Sequence, residues 1–316
     1  MAKSKGALFI TGANGGLGTA IVEELQSNPL TPDITDSTQF AALANLPPHP
    51  HDLVDLDLTN LASVRHVAST INSRVAAGQV PPISLLILNA GFQDFGRQAW
   101  TEDGFDQIFS ANYLGHWLLT LLLLQSIDKS SGRILIIGSQ AHDTKDPRND
   151  KAQAFTSDSY KTFVETKESI DPIAKGNWSS AEEDPSWKSG FRRYGASKLF
   201  LVMIIHELQR RLDGDSALNR VAVLGVDPGT MGTGLQRLAP WFIRVLMFRV
   251  IYPVVTWLSP DGPVEGKALK NAYYFDGKHL DTSAEAKDAQ KRDWVWQKSI
   301  EYTHFNQEET ILKDWK

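Results

Sequence analysis

Short apolar runs alternate along this chain with longer segments whose apolar residues recur every three or four positions. The short runs predict buried strands at Ala7–Thr11, Leu53–Leu58, Ser84–Leu88, Arg133–Gly138, Arg220–Val226 and Tyr273–Phe275. The longer segments predict helices after Gly16, from Leu61, over Phe105–Gln125 and over Tyr194–Leu212. This alternation predicts one doubly wound, Rossmann-type parallel α/β sheet over residues 1–316, with a ligand crevice at the carboxyl ends of the strands.

Composition narrows the classes of function. The 316 residues hold 32 Lys and Arg against 37 Asp and Glu, and a net charge of −5 gives no basic surface for nucleic acid. The absence of cysteine excludes disulfides and thiolate chemistry and is typical of a reducing compartment. The eight histidines show no metal-ligand spacing. We therefore expect a cytoplasmic protein without a catalytic metal.

Two sequence motifs indicate proton transfer and dinucleotide binding. Tyr194 and Lys198 lie four residues apart in RRYGASKLF, so on a helix their side chains share one face. A nearby ammonium favours the phenolate and lowers the pKa of the tyrosine, which can then exchange a proton with an alcohol or carbonyl oxygen. The string TGANGGLG at Thr11–Gly18 joins a predicted strand to a helix, where glycines allow close approach of a dinucleotide pyrophosphate.

Together these strings resemble the short-chain dehydrogenase/reductase family. Further matches to its motifs follow in the family's order over about residues 6–235, at Asp57-Leu58, Asn89-Ala90-Gly91, Asn112, Ser139 and Pro228-Gly229-x-x-x-Thr233. The resemblance implies that Tyr194 transfers the proton while Lys198 also binds the nicotinamide ribose. It further implies that Ser139 donates to the substrate oxygen and that Asn112 holds a water that relays protons to Lys198.

The same resemblance implies a set of cofactor-binding residues besides Tyr194 and Lys198: Gly12, Asn14, Gly16, Leu17, Gly18, Asp57, Leu58, Asn89, Ala90, Gly91, Pro228, Gly229 and Thr233. Each of these motifs also has a structural alternative, such as a plain turn for the glycine-rich loop, for Asn89-Ala90-Gly91 and for Pro228-Gly229, or an exposed helix pair for Tyr194 and Lys198. Asp57 is also placed to cap the next helix beside Thr59, and Asn112 is also placed to satisfy a broken helix turn.

Three segments depart from the family pattern. Residues 27–50 take the place of the second strand but contain several prolines and no run of β-branched or aromatic residues, so that strand is predicted to be missing or degenerate. Residues 141–193 form a long polar insertion before the tyrosine, with Trp178 and Trp187 as candidate anchors. The stretch Ser259–Asn271 is too short and polar for the helix that usually precedes the last strand.

The most apolar stretch, Leu238–Leu258, lies where the family places its substrate lid, and we expect an apolar lid over residues 235–260. Two alternatives remain open at this stage. The stretch has the length of a membrane span, although Arg244 and Arg249 oppose insertion. It also has the character of an amphipathic segment that makes peripheral membrane contact through residues 238–258.

We therefore predict an NAD(P)-dependent oxidoreductase that acts on a carbonyl or alcohol of a small lipophilic substrate. The alternative is a non-enzymatic dinucleotide-binding or interaction protein, or an inactive truncated member. Asp33 and Asp36 and the absence of nearby basic residues favour NAD. The resemblance to reductases of lipophilic carbonyls favours NADP, and we therefore expect NADP, with NAD as the alternative. Because the 141–193 insertion is placed to cover the helices that form the subunit interface in much of this family, we expect a monomer.

Overall fold

One seven-stranded sheet forms the centre of the molecule in the computed structural model, which describes residues 6–27, 33–36, 52–229, 270–275 and 278–316. Its strands are β1 (Ala7–Ile10), β2 (Asp33–Asp36), β3 (Ile83–Leu88), β4 (Arg133–Ile137), β5 (Ala222–Asp227), β6 (Ala272–Phe275) and β7 (Lys278–His279). Their order across the sheet is β2-β1-β3-β4-β5-β6-β7, and among these described strands only β7 pairs antiparallel. The predicted doubly wound parallel fold is confirmed.

Helices lie between the strands and bury their apolar sides against the sheet. They are α1 (Gly16–Ser27), α2 (Leu61–Ala76), α3 (Gln107–Phe109), α4 (Gly115–Leu123), α5 (Ile170–Ala174), α6 (Trp187–Gly214), α7 (Ala284–Lys287) and α8 (Ala289–Thr303). Successive strand residues enter different cores, because strand side chains alternate between faces. Leu8 packs with Ile21 of α1, whereas its neighbour Phe9 packs in the larger core with α2, α4 and α6.

The second strand is present but short. The four residues of β2 pair in parallel with β1, with Asp36 opposite Ile10. The expectation of a strand at Leu53–Leu58 is wrong, since residues 52–57 form no strand and Leu53 is 46% exposed. An apolar run becomes a strand only where a neighbouring strand pairs with its backbone, and the described structure provides no such partner there.

The predicted helix Phe105–Gln125 is interrupted. Between α3 and α4, residues Ser110–Leu114 form a π-helical segment whose residues are all buried. Such widened turns release backbone groups from the regular helix pattern and are frequent at functional sites. This segment contains Asn112.

The insertion at residues 141–193 folds onto α6 through short helical turns and α5. Phe155 and Phe163 lie so close to Gly195 that a Cβ on this glycine would be 3.1 and 3.2 Å from their rings. Trp178 packs within the insertion, with its ring 5.3 Å from those of Tyr160 and Phe163, and its role as an anchor stays a prediction. Trp187 is not an anchor, because it remains 41% exposed.

Helix α8 packs across α4 and α6. Its Trp296 ring lies 5.3 Å from that of Trp117 and beneath the guanidinium of Arg211, which is 4.4 Å from the ring centre. The hydroxyls of Tyr113 and Ser299 are 2.7 Å apart across the same contact. Helix α8 therefore covers the side of α4 and α6 that the insertion at residues 141–193 was expected to cover.

Several predictions concern residues outside the described part of the chain. They are the roles of Thr233, of the lid at 235–260 with its apolar stretch 238–258, and of residues 259–269. Among the helices that the structure describes, none has the length and apolar character needed to cross a membrane.

Candidate active site

A cleft of about 250 Å³ lies at the carboxyl ends of the central strands. Most of the predicted cofactor and catalytic residues line it, together with Gly15, Ile137 and Gly138, which the sequence analysis did not assign. The predicted residues that it brings together are Gly12, Asn14, Gly16, Leu17, Gly18, Asn89, Ala90, Gly91, Tyr194, Lys198 and Pro228. One wall is thus the glycine-rich turn, and another is the face of α6 that bears Tyr194 and Lys198.

The glycine-rich turn has the shape that a pyrophosphate requires. Gly12 has a φ of +66°, and a Cβ there would lie 2.7 Å from the Cα of Ala90. A Cβ on Gly18 would lie 2.1 Å from the carbonyl oxygen of Gly12, so neither position accepts a side chain. Helix α1 begins at Gly16, and the N–H groups of a first helical turn have no partners within the helix. These residues fit the pyrophosphate of a dinucleotide.

Asn89 and Thr11 hold this turn in place. The Asn89 side-chain amide donates to the carbonyl oxygens of Thr11 and Gly12, both at 3.0 Å. The Thr11 hydroxyl accepts the backbone N–H groups of Asn89 and Ala90, also at 3.0 Å. Asn89 therefore fixes the loop with its side chain, and any contact with the adenosine stays a prediction.

Asp57 and Leu58 lie outside this cleft. The Asp57 carboxylate accepts the backbone N–H and the hydroxyl of Thr59, at 2.8 and 2.7 Å. The cap of α2 is Asn60, whose side-chain oxygen accepts from Ala62 and Ser63. Asp57 thus shapes the turn before the helix, in partial agreement with the structural alternative, and its contact with adenine stays a prediction.

Tyr194 faces the cleft from α6, with Ser139 beside it at the end of β4. Burial raises the pKa of Tyr194 to about 12, although a hydrogen bond with the Ser139 side chain lowers it. The expectation of a lowered pKa for Tyr194 is wrong, because desolvation of the phenolate outweighs the effect of the Ser139 hydrogen bond. At neutral pH the phenol is therefore protonated and is suited to donate a proton.

Lys198 is buried one turn further along α6. Its ammonium donates to the Ile137 carbonyl oxygen at 2.8 Å and lies 5.6 Å from the centre of the Tyr194 ring. Burial lowers the pKa of Lys198 to about 8, against an opposing effect of the Asp227 carboxylate. The predicted proximity of the two side chains is thus observed, while the lysine is directed to the end of β4.

The side chain of Asn112 makes three hydrogen bonds. Its amide donates to the Phe92 carbonyl oxygen at 2.9 Å and to the Ser197 hydroxyl at 3.1 Å, and its oxygen accepts the Phe92 N–H at 2.9 Å. It therefore joins the π-helical segment, the loop after β3 and α6. Because these partners lie outside its own helix, the alternative in which Asn112 satisfies a broken helix turn is not observed. The water relay stays a prediction.

His116 is a site residue that the sequence analysis missed. Its Nδ1 lies 2.9 Å from the Asn112 carbonyl oxygen and its Nε2 lies 2.8 Å from the Thr11 hydroxyl. Burial lowers the pKa of His116 to about 4, so the ring is neutral at pH 7. Since a carbonyl only accepts, Nδ1 carries the proton and Nε2 accepts from Thr11. The spacing of Asn112 and His116, four apart on a predicted helix, was the available signal.

Comparison with known proteins bears on the identity of this site. Residues 7–150 match a family model described as short chain dehydrogenase. A short-chain dehydrogenase of Talaromyces variabilis, iccH, is 37% identical over 99% of both chains. The chain belongs to the short-chain dehydrogenase/reductase family. The alignment with iccH spans 362 positions against 316 residues here, so this relative carries segments without a counterpart in the present short-chain dehydrogenase/reductase.

One further relative and one solved structure are similar to this chain at lower sequence identity. A polyprenol dehydrogenase of Mus musculus is 28% identical, over 82% of this chain and 68% of its own length. A crystal structure of an uncharacterised protein from Mycobacterium paratuberculosis aligns with a TM-score of 0.66 and 25% identity, over 96% of this chain and 95% of that one. The interpretation of this chain as an NAD(P)-dependent short-chain dehydrogenase/reductase is confirmed by its relatives.

Proposed function

We propose that this enzyme transfers a hydride between a nicotinamide dinucleotide and a carbonyl or alcohol carbon of a lipophilic substrate. The observation that carries the proposal is the meeting of Tyr194, Lys198 and the glycine-rich turn in one cleft. The bound nicotinamide supplies or takes up the hydride. In the reductive direction Ser139 donates to the substrate oxygen and Tyr194, protonated at neutral pH, gives its proton to the alkoxide that forms.

A binding assay and a turnover assay together test this function. We expect NADH or NADPH to raise the unfolding temperature and lipophilic ketones to be reduced. A thermal shift without turnover on a panel of ketones and aldehydes would favour the non-enzymatic binding protein. The absence of both would contradict the proposal.

Exposed aromatic side chains on the loop after β3 and at the beginning of α6 support a lipophilic substrate. Phe92, Phe95 and Trp187 are 41%, 65% and 41% exposed, although solvent exposure of such groups is costly. The ring of Phe191 stacks on that of Tyr194 at 6.4 Å and lies 5.8 Å from that of Trp187. The loop that bears Phe92 and Phe95 is held against α6 by a 2.6 Å ion pair between Asp94 and Arg193. The name of the relative that oxidises polyprenol, a lipid alcohol, agrees with this class of substrate.

Removing these rings is expected to weaken binding of bulky substrates selectively. In Trp187→Ala and Phe95→Ala, we expect KM for a polycyclic aromatic ketone to rise about tenfold, because roughly 1.5–3 kcal/mol of apolar contact is lost. KM for a small aliphatic ketone should stay within about twofold. Steady-state kinetics with both substrates measures this, and equal effects on the two would count against the aromatic surface.

The cofactor preference depends on the end of β2. Asp36 is the last residue of this strand and pairs with Ile10, directly before the glycine-rich turn. In dinucleotide-binding folds an acidic residue about 20 positions after the glycines binds the ribose 2′-hydroxyl of NAD, and its charge disfavours the 2′-phosphate of NADP. We therefore propose NAD(H), rather than the NADP(H) that the resemblance alone favoured.

Substitution of Asp36 tests this preference. We expect the wild type to bind NADH at least about tenfold more tightly than NADPH, a difference of about 1.4 kcal/mol. In Asp36→Ser the difference should shrink or reverse, since the repulsion is removed. Titration of both cofactors by calorimetry measures it. Tighter binding of NADPH by the wild type would restore the NADP assignment.

We also propose that the enzyme is a monomer, because α8 covers α4 and α6. Sedimentation at micromolar concentration is expected to show one species of 35.1 kDa. Trp296→Ala should lower the free energy of unfolding by about 3–5 kcal/mol, as this ring is fully buried between Trp117 and Arg211. A stable wild-type tetramer would contradict the proposal.

A further inference from the structure

A buried carboxylate lies directly behind the catalytic residues. Asp227 is the last residue of β5, and its side chain is fully buried. One carboxylate oxygen accepts the N–H of Gly229 at 2.8 Å and so closes the turn through Pro228. The other oxygen lies 2.9 Å from the guanidinium of Arg148.

Arg148 comes from the 141–193 insertion, 79 positions away from Asp227 in the chain. The terminal nitrogen that approaches Asp227 also donates to an Asp146 oxygen at 2.6 Å, and the Nε of Arg148 donates to the two Asp146 oxygens at 3.0 and 3.1 Å. The guanidinium also lies 4.4 Å from the centre of the Phe275 ring, at the end of β6. These contacts hold the guanidinium beside Asp227.

The groups that face Asp227 come from every element around it. Tyr194 and Lys198 approach from α6 and Tyr273 from β6, while His142 and Asp146 approach from the beginning of the insertion. The carboxylate raises the pKa values of Tyr194 and Lys198 alike, because a negative charge disfavours a phenolate and favours an ammonium. An uncompensated charge at Asp227 would therefore make Tyr194 harder to ionise.

We propose that Arg148 and Asp227 are positioning residues: their ion pair braces the turn at Pro228-Gly229 and sets the proton affinity of the Tyr194 and Lys198 pair. The proposal rests on the proposed function, since the cleft that Pro228 lines is the dinucleotide site. A buried charge requires a partner, and the insertion provides it. The insertion thereby contributes to catalysis although Arg148 does not line the cleft.

Substitution of Asp227 separates the effect of charge from that of position. Asp227→Asn keeps an oxygen that accepts from Gly229 but removes the charge. For alcohol oxidation, which requires the phenolate, we expect the midpoint of the pH profile of kcat/KM to fall by about one unit, with NADH affinity within about twofold of wild type. Asp227→Ala removes both the charge and the oxygen that accepts from Gly229. We expect NADH to bind about tenfold more weakly to this variant. Calorimetry measures this binding independently of turnover.

Substitution of Arg148 is expected to shift the midpoint of the pH profile of kcat/KM in the opposite direction. Arg148→Met leaves the carboxylate unpaired, so the midpoint should rise, and the double variant Arg148→Met/Asp227→Asn should return towards the wild-type value. The matched control is Arg65→Met, which removes another partly buried arginine bonded through two nitrogens to a carboxylate, that of Glu309. Its midpoint should equal that of the wild type.

The outcomes distinguish this inference from the proposed function. An unchanged or raised midpoint in Asp227→Asn, or a lowered midpoint in Arg148→Met, would overturn the inference while wild-type turnover upheld the function. Equal NADH affinities of Asp227→Ala and Asp227→Asn would contradict the claim that Asp227 holds the turn at Pro228-Gly229. A wild type that binds neither NADH nor NADPH would refute the proposed function itself.

Discussion

Replacement of Tyr194 with phenylalanine is expected to reduce turnover by about 10²–10⁴-fold while leaving cofactor affinity within about twofold. The variant loses the hydroxyl that bonds with Ser139 and donates the proton, but it keeps the ring that stacks on Phe191. Steady-state kinetics and calorimetric titration with NADH measure the two effects separately.

A second buried tyrosine provides the control. The Tyr113 hydroxyl bonds with Ser299 at the contact with α8, away from the cleft. Tyr113→Phe should lower stability by about 1 kcal/mol and leave turnover unchanged. If Tyr194→Phe retained turnover within about twofold of wild type, Tyr194 would have no part in proton transfer.

Replacement of Lys198 with methionine is expected to impair both cofactor binding and the rate, the latter by at least about 100-fold. This lysine is buried, lines the cleft and lies 5.6 Å from the centre of the Tyr194 ring. Without its charge the phenolate loses a stabilising neighbour, and the pH profile of the residual oxidation rate should move to higher pH. An unchanged profile together with an unchanged KM for the cofactor would exclude Lys198 from the mechanism.

The same variant should be more stable than the wild type at neutral pH. The pKa of Lys198 is about 8 in the folded protein, below its ordinary value of 10.5, so folding there opposes the charged form. That cost is fully present below pH 8 and disappears as pH rises from 8 to 10.5, where the unfolded chain also loses the proton. We expect Lys198→Met to gain about 1–3 kcal/mol at pH 7 and the advantage to vanish near pH 10.5. Chemical denaturation across this pH range measures it.

The features that were predicted correctly are those decided by neighbours in the sequence. The turn from Gly12 to Gly18 requires residues without Cβ, and Tyr194 and Lys198 share a helix face because of their spacing. The strand ahead of Ser139 is a continuous run of apolar residues buried on both faces.

The remaining features depend on partners that are distant in the sequence. Leu53–Leu58 has a strand-like pattern but lacks a pairing strand in the described structure, whereas the less apolar Asp33–Asp36 pairs with β1. The pKa of Tyr194 follows burial within the folded domain, which spacing alone does not reveal. Likewise, neither Arg148 nor Asp227 has a local signal, because their meeting depends on how the insertion folds against β5.

The link from Thr11 through His116 to Asn112 has a consequence for the pH dependence of the enzyme. With a pKa of about 4, the His116 ring keeps one proton and one orientation throughout the physiological range. The ring therefore keeps a fixed hydrogen-bonded link between Thr11, ahead of the glycine-rich turn, and the π-helical segment that bears Asn112, and it cannot serve as a proton switch between them. A kinetic transition between pH 6 and 7 would have to arise elsewhere, in the substrate or in another group of the enzyme.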